Sequence, residues 1–367
     1  MTKLQELLAL GQSVWYDNIS REVLDSGEMQ ALIDAGVVGV TSNPSIFKKA
    51  IADSHHYDAE IRTLSGAGKS TEEIYEALAL ADIARAADLF RLVYEASDGL
   101  DGYVSIEVDP NLAHDTAVTI SEARRLFKAL NRPNIMIKVP ATAAGVPAVE
   151  TLIGEGINVN VTLMFSLQHY EDVAYAYIRG LQKLAANGGD LSRVASVASF
   201  FVSRIDTAVD KALAASGDDE ALALQGQIAV ANAKNAYGRF QDIFSSPDWD
   251  ELATQGARVQ RPLWASTSTK NPAYPDTLYV DTLIGQHTVN TMPPETVDAF
   301  IDHGTVASTL THNQDEAEEM VAYLDDLSID FNAITQKLQD DGVQSFSDAF
   351  KALMKAIDEK KTALQPA

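Results

Sequence analysis

The segment of residues 135–163 constrains the fold of this chain more than any other, because it contains two β strands joined by one short helix. The first strand is IMIKVP (Ile135–Pro140), and the second is INVNVTL at residues 157–163. Residues 145–156 between them are predicted to form a loop and a helix. Strands connected in this way pair in parallel, and parallel strands are normally buried on both faces. The segment therefore predicts an α/β protein.

Eight such strands follow one another along the chain, with helices between them. They are predicted at residues 13–19, 37–43, 103–109, 135–140, 157–163, 194–203, 260–267 and 288–292. This count predicts a (β/α)8 TIM barrel that forms one domain over residues 1–367. A doubly wound open sheet is the alternative. Additional helices are predicted at the N-terminus, after the second strand (about 46–64 and 71–96) and at the C-terminus (two after residue 315, the last at about 346–361).

Composition and charge limit the possible classes of function. A hydrophobic content of 46% with 22% charged residues is typical of globular proteins. The chain has no apolar run of about 18 residues and a polar N-terminus, so we expect a cytoplasmic protein. The absence of cysteine excludes disulfides and thiolate metal sites. A net charge of −24 argues against nucleic acid or an anionic membrane as partner, and an anionic substrate would need local basic residues.

Polar side chains occur near the carboxyl ends of the strands, on the face predicted to point into the barrel. In TIM barrels the active site lies at these ends. Taken singly, each residue has an ordinary explanation, such as a helix cap, a surface ion pair or a strand-end lysine whose amine reaches water. Taken together, they predict one polar cluster on converging strands, formed by Asp17, Thr41, Asn43, Glu107, Lys138, Asn160, Thr162, Ser199, Arg204 and Ser266.

The lysine in this cluster favours covalent catalysis by an amine. Lys138 shares a strand face with Met136, and an apolar setting deprives an amine of solvation and favours its neutral form. A neutral amine attacks a ketone to form a Schiff base, and the imine is then an electron sink for cleaving the adjacent C–C bond.

The same reaction requires proton transfers and substrate contacts. Glu107 and Asp17 are candidates for the proton transfers, through a water oriented by Thr162. Asn43 and Asn160 are candidates for holding substrate hydroxyls.

Five segments of the chain are long enough to compare with family motifs: GVTSNPSIF (39–47), SIEVD (105–109), IMIKVPATAAG (135–145), INVNVTLMFS (157–166) and SFFVSRIDTAVDK (199–211). They resemble the transaldolase family, in the family's order, and the resemblance runs from about residue 17 to residue 294. The resemblance implies a (β/α)8 barrel that transfers a dihydroxyacetone unit without metal or cofactor. The expected reaction interconverts sedoheptulose 7-phosphate plus glyceraldehyde 3-phosphate with erythrose 4-phosphate plus fructose 6-phosphate, in the pentose phosphate pathway.

The resemblance also implies a role for individual residues. Lys138 matches the Schiff-base lysine, Asp17 and Glu107 match the acid/base carboxylates, and Thr162 matches the residue that holds the catalytic water. Arg204 matches a phosphate-binding arginine. Positions expected to contact or line the substrate are Thr41, Asn43, Asn160, Ser199 and Phe201.

One segment departs from the family pattern. After the seventh strand the family has a serine followed two residues later by an arginine, both at the phosphate. Here Ser266 keeps the serine position, but the segment ASTSTKNP contains no arginine, and Lys270 is the nearest cation. We therefore assign Lys270 to the phosphate, where a lysine offers a point charge in place of a bidentate fork.

Two alternatives remain open from the sequence. A class I aldolase of the same fold would release dihydroxyacetone to water instead of passing it to an acceptor. A catalytically silent sugar-phosphate binder is also conceivable, although such a binder has no use for a buried amine beside two carboxylates. The sequence predicts a monomer or a homodimer without choosing between them.

Overall fold

Eight parallel strands close into a barrel, and they are arranged around it in the order of the chain. The structure is a computed structural model and describes residues 1–364. Because β1 pairs with β8 along its whole length, the sheet has no free edge, and the open-sheet alternative is wrong. The strands are β1 (Gln12–Tyr16), β2 (Val37–Val40), β3 (Val104–Glu107), β4 (Ile135–Pro140), β5 (Val159–Met164), β6 (Ser196–Phe201), β7 (Arg261–Ala265) and β8 (Thr288–Met292).

Helices surround the barrel and connect its strands. Two short 3₁₀ turns, Pro110–Leu112 and Leu191–Arg193, lie in the connections after β3 and before β6. The α-helices are α1 (Lys3–Ala9), α2 (Arg21–Asp25), α3 (Glu28–Ala35), α4 (Pro44–Ala52), α5 (Asp58–Gly66), α6 (Thr71–Leu89), α7 (Arg91–Ala96), α8 (Thr116–Leu130), α9 (Gly145–Gly154), α10 (Leu167–Ala186), α11 (Ser203–Ser216), α12 (Asp219–Leu222), α13 (Ile228–Ile243), α14 (Pro247–Thr254), α15 (Leu278–Asp281), α16 (Pro294–His303), α17 (Gln314–Asp326) and α18 (Phe331–Ala363).

The register of the sheet places three of the predicted site residues in one row. Glu107 on β3 pairs with Lys138 on β4, and Lys138 pairs with Asn160 on β5. Residues paired in this way point to the same face of a parallel sheet, here the inside of the barrel. The alternation predicted for these strands therefore holds across the three of them.

A large aromatic side chain fills the interior of the barrel below this row. Trp15 on β1 is fully buried, and its partner across the β1–β2 ladder is Gly39. A Cβ added at Gly39 would lie 2.7 Å from the indole ring, closer than atoms can pack. Glycine at this position is therefore required by the bulk of the neighbouring tryptophan.

Several helices differ from the predicted ones, and the causes are local. The helix predicted at 46–64 is divided, because the chain turns after Ala52 to bury Tyr57, whose hydroxyl donates to Asp82 at 2.8 Å. Helix α16 was not predicted because Pro294 reads as a stop. Pro294 in fact occupies the first turn of this helix, where its missing N–H costs no hydrogen bond.

The C-terminal helix is about twice as long as predicted. Gly342 reads as a break in the sequence, yet it lies inside α18, which begins at Phe331. The helix passes so close to β5 at this point that a Cβ on Gly342 would lie 2.9 Å from Leu163 Cδ2. The glycine thus permits a close approach between the helix and the mouth of the barrel.

Membrane insertion by a helix is not supported in the part of the chain that the structure describes. None of the helices within residues 1–364 combines the length and the apolar character needed to cross a bilayer.

Candidate active site

A cavity of about 200 Å³ opens at the carboxyl ends of the strands. Ten of the twelve residues predicted for the site line it, and the other two, Glu107 and Asn160, are buried directly beside it. The ten are Asp17, Thr41, Asn43, Lys138, Thr162, Ser199, Phe201, Arg204, Ser266 and Lys270. The strand ends therefore bring together residues that are up to about 250 positions apart in the sequence.

Lys138 lines the cavity and is only 5% exposed. Its Nζ is 3.7 Å from Glu107 Oε2 and donates a long hydrogen bond of 3.4 Å to the Ser42 carbonyl. The ring centroid of Phe346, from α18, lies 5.5 Å from the same nitrogen. The amine is thus buried, loosely held and open to the cavity, as a nucleophile needs to be.

Glu107 has a buried carboxyl group that accepts no hydrogen bond from residues 1–364. Neither of its oxygens has a partner among residues 1–364, since 3.7 Å to Lys138 is too long for a hydrogen bond. Burial raises the pKa of Glu107 to about 7; the positive charge of Lys138 offsets part of this shift, and the Asp17 charge adds to it. A carboxyl with this pKa exchanges its proton readily at neutral pH.

Asp17 is the second carboxyl at the lysine, and it is held from one side. The Thr41 hydroxyl donates to Asp17 Oδ1 at 2.6 Å and lies 2.6 Å from the Thr291 hydroxyl. Burial raises the pKa of Asp17, while Lys138 and the hydrogen bond from Thr41 lower it. Unlike Glu107, Asp17 borders the cavity itself, so its carboxylate can reach a bound substrate.

Thr162 and Asn160 lie next to each other on the inner side of β5 but are bonded differently. The Thr162 hydroxyl is buried and has no partner within the described chain, so it can still hold a water. Both polar atoms of the Asn160 side chain form hydrogen bonds: the nitrogen donates to the Ser105 hydroxyl at 3.1 Å, and the oxygen accepts from the Ser199 hydroxyl at 2.7 Å. Its place in the row behind Lys138 suits support of the pocket wall as well as a substrate contact.

Asn43 has a structural function in addition to its place at the cavity. Its side-chain oxygen accepts from the Ile46 N–H at 3.0 Å and caps α4, while Pro44 begins the helix. The ordinary explanation for a strand-end asparagine is therefore correct for the oxygen. The amide nitrogen still borders the cavity and can donate to a substrate hydroxyl.

Arg204 provides a cation without a carboxylate partner. Its guanidinium lies 5.1 Å from the centre of the Phe201 ring, and burial alone lowers the pKa of Arg204, since no charged group of residues 1–364 offsets it. Buried charges are normally paired, so an unpaired arginine at a cavity indicates an anionic ligand.

Ser266 and Lys270 also line the cavity. Ser266 has a left-handed backbone (φ 57°), and its hydroxyl lies 2.9 Å from the Ser203 hydroxyl. Lys270 is exposed and donates to the Ser268 hydroxyl at 2.6 Å. An exposed lysine is free to move toward an anion, although it is less firmly positioned than Arg204.

Sequence reasoning missed seven residues that line or close the cavity, and three of them, Ala265, Ser268 and Pro293, belong to its wall. Thr291 and Glu295 border it from β8 and α16, and Phe346 borders it from α18. Gln339, also on α18, donates to the carbonyls of Ala141 and Leu163 at 2.9 and 3.0 Å. Thr291 follows a strand and could have been found by its position, but no pattern in the sequence connects α18 with the site.

The described residues also contain no cluster of three or more His, Asp or Glu side chains arranged to hold a metal ion.

A second cavity of about 170 Å³ lies on the far side of Glu107, between α6 and α8, with Tyr75 and Leu126 in its wall. Its acidic and apolar lining differs from the basic and hydroxyl-rich lining around Lys138. Of these two cavities within residues 1–364, the one around Lys138 combines a lysine amine, carboxyl groups and an arginine.

Comparison with known proteins agrees with this geometry. Residues 14–357 match the model of the family described as transaldolase/fructose-6-phosphate aldolase. The chain is 50% identical over 375 residues to transaldolase 2 of Nostoc sp. (strain PCC 7120 / SAG 25.82 / UTEX 2576), covering 99% of this chain and 98% of that protein. It is 48% identical over 362 residues to the transaldolase of Thermobifida fusca (strain YX), covering 98% of both chains. With a family match and relatives that extend over almost its whole length, this chain belongs to the transaldolase family.

Proposed function

We propose that this chain transfers a dihydroxyacetone unit from a ketose phosphate to an aldose phosphate through a Schiff base on Lys138. The donors are sedoheptulose 7-phosphate and fructose 6-phosphate, and the acceptors are glyceraldehyde 3-phosphate and erythrose 4-phosphate. The observation that carries the proposal is a buried, loosely held amine with a carboxyl of raised pKa 3.7 Å away, inside a cavity that also contains an unpaired arginine.

The positions of the two carboxyls suggest different roles. Glu107 adjoins the Lys138 nitrogen but does not border the cavity, so we assign it to proton transfer during formation and hydrolysis of the imine, through a water held by Thr162. The amine attacks the donor ketone, the carbinolamine hydroxyl takes a proton and leaves as water, and an iminium remains.

Asp17 borders the cavity and is assigned to the cleavage step. It removes the proton of the hydroxyl on the carbon at the far end of the bond that breaks, and this carbon becomes the aldehyde. The electrons of that C–C bond pass to the iminium, the aldose leaves as an aldehyde, and an enamine of dihydroxyacetone stays on Lys138. Addition of the acceptor aldehyde reverses these steps.

The phosphate of each substrate is assigned to Arg204, Ser266 and Lys270, all of which line the cavity. Asn43, Thr41 and Ser199 line the same cavity, and their polar side chains suit the hydroxyls of a sugar chain. Phe201 provides an apolar wall next to Arg204.

Borohydride trapping tests the proposal directly. Incubation with fructose 6-phosphate and borohydride, followed by peptide mass mapping, is expected to add the reduced three-carbon or six-carbon unit to Lys138 and to no other lysine. Lys138→Met should abolish the label and the activity, and Lys49→Met, on α4 outside the cavity, serves as the matched control. Labelling at a different lysine, or none, would refute the mechanism.

The aldolase alternative is tested by the acceptor. The relatives named above are transaldolases, which supports transfer over release, and the family description includes both reactions. We expect donor consumption to depend on erythrose 4-phosphate or glyceraldehyde 3-phosphate. A rate that is independent of acceptor and yields free dihydroxyacetone would favour the aldolase.

Three expectations from the sequence remain predictions at the level of the cell and the assembly. Cytoplasmic location is tested by fractionation, and the choice between monomer and homodimer by sedimentation. The prediction of one domain over residues 1–367 is tested by whether fluorescence and circular dichroism report the same unfolding transition.

A further inference from the structure

The C-terminal helix forms a roof over the reactive lysine. Phe346 on α18 is 5% exposed and borders the cavity, with its ring centroid 5.5 Å from Lys138 Nζ. The rest of the barrel around this nitrogen offers polar groups, among them Glu107 and the Ser42 carbonyl. Phe346 thus adds an aromatic ring to these polar surroundings of the amine, in the wall of the same cavity.

The helix is fixed at this height by contacts on both sides of Phe346. Gln339 bonds the carbonyls of Ala141 and Leu163 just beyond β4 and at the end of β5. One turn later Gly342 permits backbone contact with Leu163. On the other side, the Ser347 hydroxyl donates to Asn111 Oδ1 at 2.7 Å. The ring therefore has a defined position over the lysine.

A phenyl ring at this place acts on the covalent intermediate in two ways. It lies within the range in which an aromatic ring attracts a cation, and both the ammonium and the iminium on Lys138 are cations. It also occupies space from which water would otherwise reach the carbon attached to the nitrogen. Both effects lengthen the life of the intermediate, which a transferase requires and a lyase does not.

We propose that Phe346 is a specificity-determining residue that directs the Lys138 intermediate to the acceptor aldehyde instead of to water. The inference rests on the proposed function. Without the ring, the enamine carbon takes a proton from a cavity carboxyl, and water then adds its oxygen to the iminium carbon while its proton returns to a carboxylate. The resulting carbinolamine breaks its C–N bond, so that dihydroxyacetone and the free amine are released with no net oxidation or reduction.

The test measures the partition between release and transfer. Fructose 6-phosphate is supplied with and without erythrose 4-phosphate, and free dihydroxyacetone is measured against sedoheptulose 7-phosphate. For Phe346→Ala we expect the ratio of release to transfer to rise about fivefold or more, since both the cation–aromatic contact and the barrier to water are lost. Phe346→Leu keeps the apolar cover without the ring face and should give a smaller rise.

Phe350→Ala is the matched control. It removes the same atoms from the same helix one turn further on, where the ring packs against Tyr75 at a centroid distance of 5.5 Å and not against Lys138. Its release-to-transfer ratio should equal that of the wild type. A general loosening of α18 would instead raise the ratio in both variants, so the control distinguishes that effect from the loss of the Phe346 ring.

The outcomes separate this inference from the proposed function. If borohydride labels Lys138 in the wild type but Phe346→Ala leaves the ratio unchanged, the proposed function stands and the role of Phe346 is refuted. If Lys138 is not labelled, the proposed function itself fails. Should Phe346→Ala not fold, Phe346→Leu decides: about a twofold rise supports the inference, and an unchanged ratio overturns it.

Discussion

At the scale of single residues, the protonation of Glu107 governs the pH dependence of the site. Burial raises the pKa of Glu107 to about 7, and the Lys138 amine lies 3.7 Å away. Below this pH the Glu107 carboxyl keeps its proton and cannot take up the proton that the amine loses when it attacks the ketone. As the pH rises through about 7 the carboxylate forms and can act as the general base for that step.

The protonation of Glu107 gives a prediction for how the reaction rate depends on pH. The kcat/KM for donor cleavage should rise with pH through a midpoint near 7, and Glu107→Gln should remove that limb and lower kcat/KM by about 100-fold or more, since general acid–base catalysis contributes roughly that much. The measurement is a pH–rate profile from pH 5.5 to 9. A Glu107→Gln profile that keeps the limb near pH 7 would assign it to another group.

The anion-binding residues give a second prediction at this scale. Arg204 is partly buried beside Phe201, whereas Lys270 is exposed, so the two should contribute unequally. A hydrogen bond to a charged group is worth about 1.5–3 kcal/mol, so Arg204→Ala should raise KM for fructose 6-phosphate roughly 10- to 100-fold. Lys270→Ala should raise it only a few-fold.

Unphosphorylated fructose is the control for both variants. Its kcat/KM should change little in either, because it has no phosphate to lose. Equal losses for fructose and its phosphate would show that Arg204 supports the pocket wall and does not bind the phosphate.

At the scale of elements, the packing of β1 against β2 gives a prediction for stability. A Cβ at Gly39 would lie 2.7 Å from the Trp15 indole, inside a barrel that cannot expand. Gly39→Ala should therefore destabilise the protein by about 1–3 kcal/mol, the usual cost of overpacking. Urea unfolding followed by tryptophan fluorescence measures the change.

Gly66→Ala is the matched control for that substitution. No atom lies within 4 Å of a Cβ placed at Gly66, at the end of α5. Alanine there reduces the freedom of the unfolded chain and should leave the stability equal or slightly higher. If Gly39→Ala has the same small effect, Trp15 can move and the barrel interior is less tightly packed than it looks.

The elements also show where sequence reasoning succeeds and where it fails. The strands at Ile135–Pro140 and Thr288–Met292 have the predicted bounds, because alternation and flanking prolines are local signals. Helix α16 and the first half of α18 were not predicted; they contain Pro294 and Gly342, residue types that disfavour the interior of a helix. A helix tolerates proline in its first turn, and it tolerates glycine where another side chain approaches closely. Only the folded structure shows that Pro294 and Gly342 occupy such positions.

At the scale of the whole molecule, the predicted barrel is confirmed, and the cavity brings together most of the site predicted for its strand ends. The strands could be predicted from periodicity, and the inward parity of Glu107 and Lys138 follows from them. The roof could not be predicted, because the contact between Phe346 and Lys138 joins residues more than 200 positions apart and depends on the path of α18. The role of each site residue in the reaction remains a prediction.

The position of the roof in the chain also has a consequence for synthesis. The eight strands are complete at Met292, about forty residues before α18 begins. All eight strands therefore leave the ribosome before the helix that carries Phe346. During that interval Lys138 of the nascent protein is a primary amine without its aromatic cover, in a cell that contains free aldehydes. Docking of α18 ends this exposure.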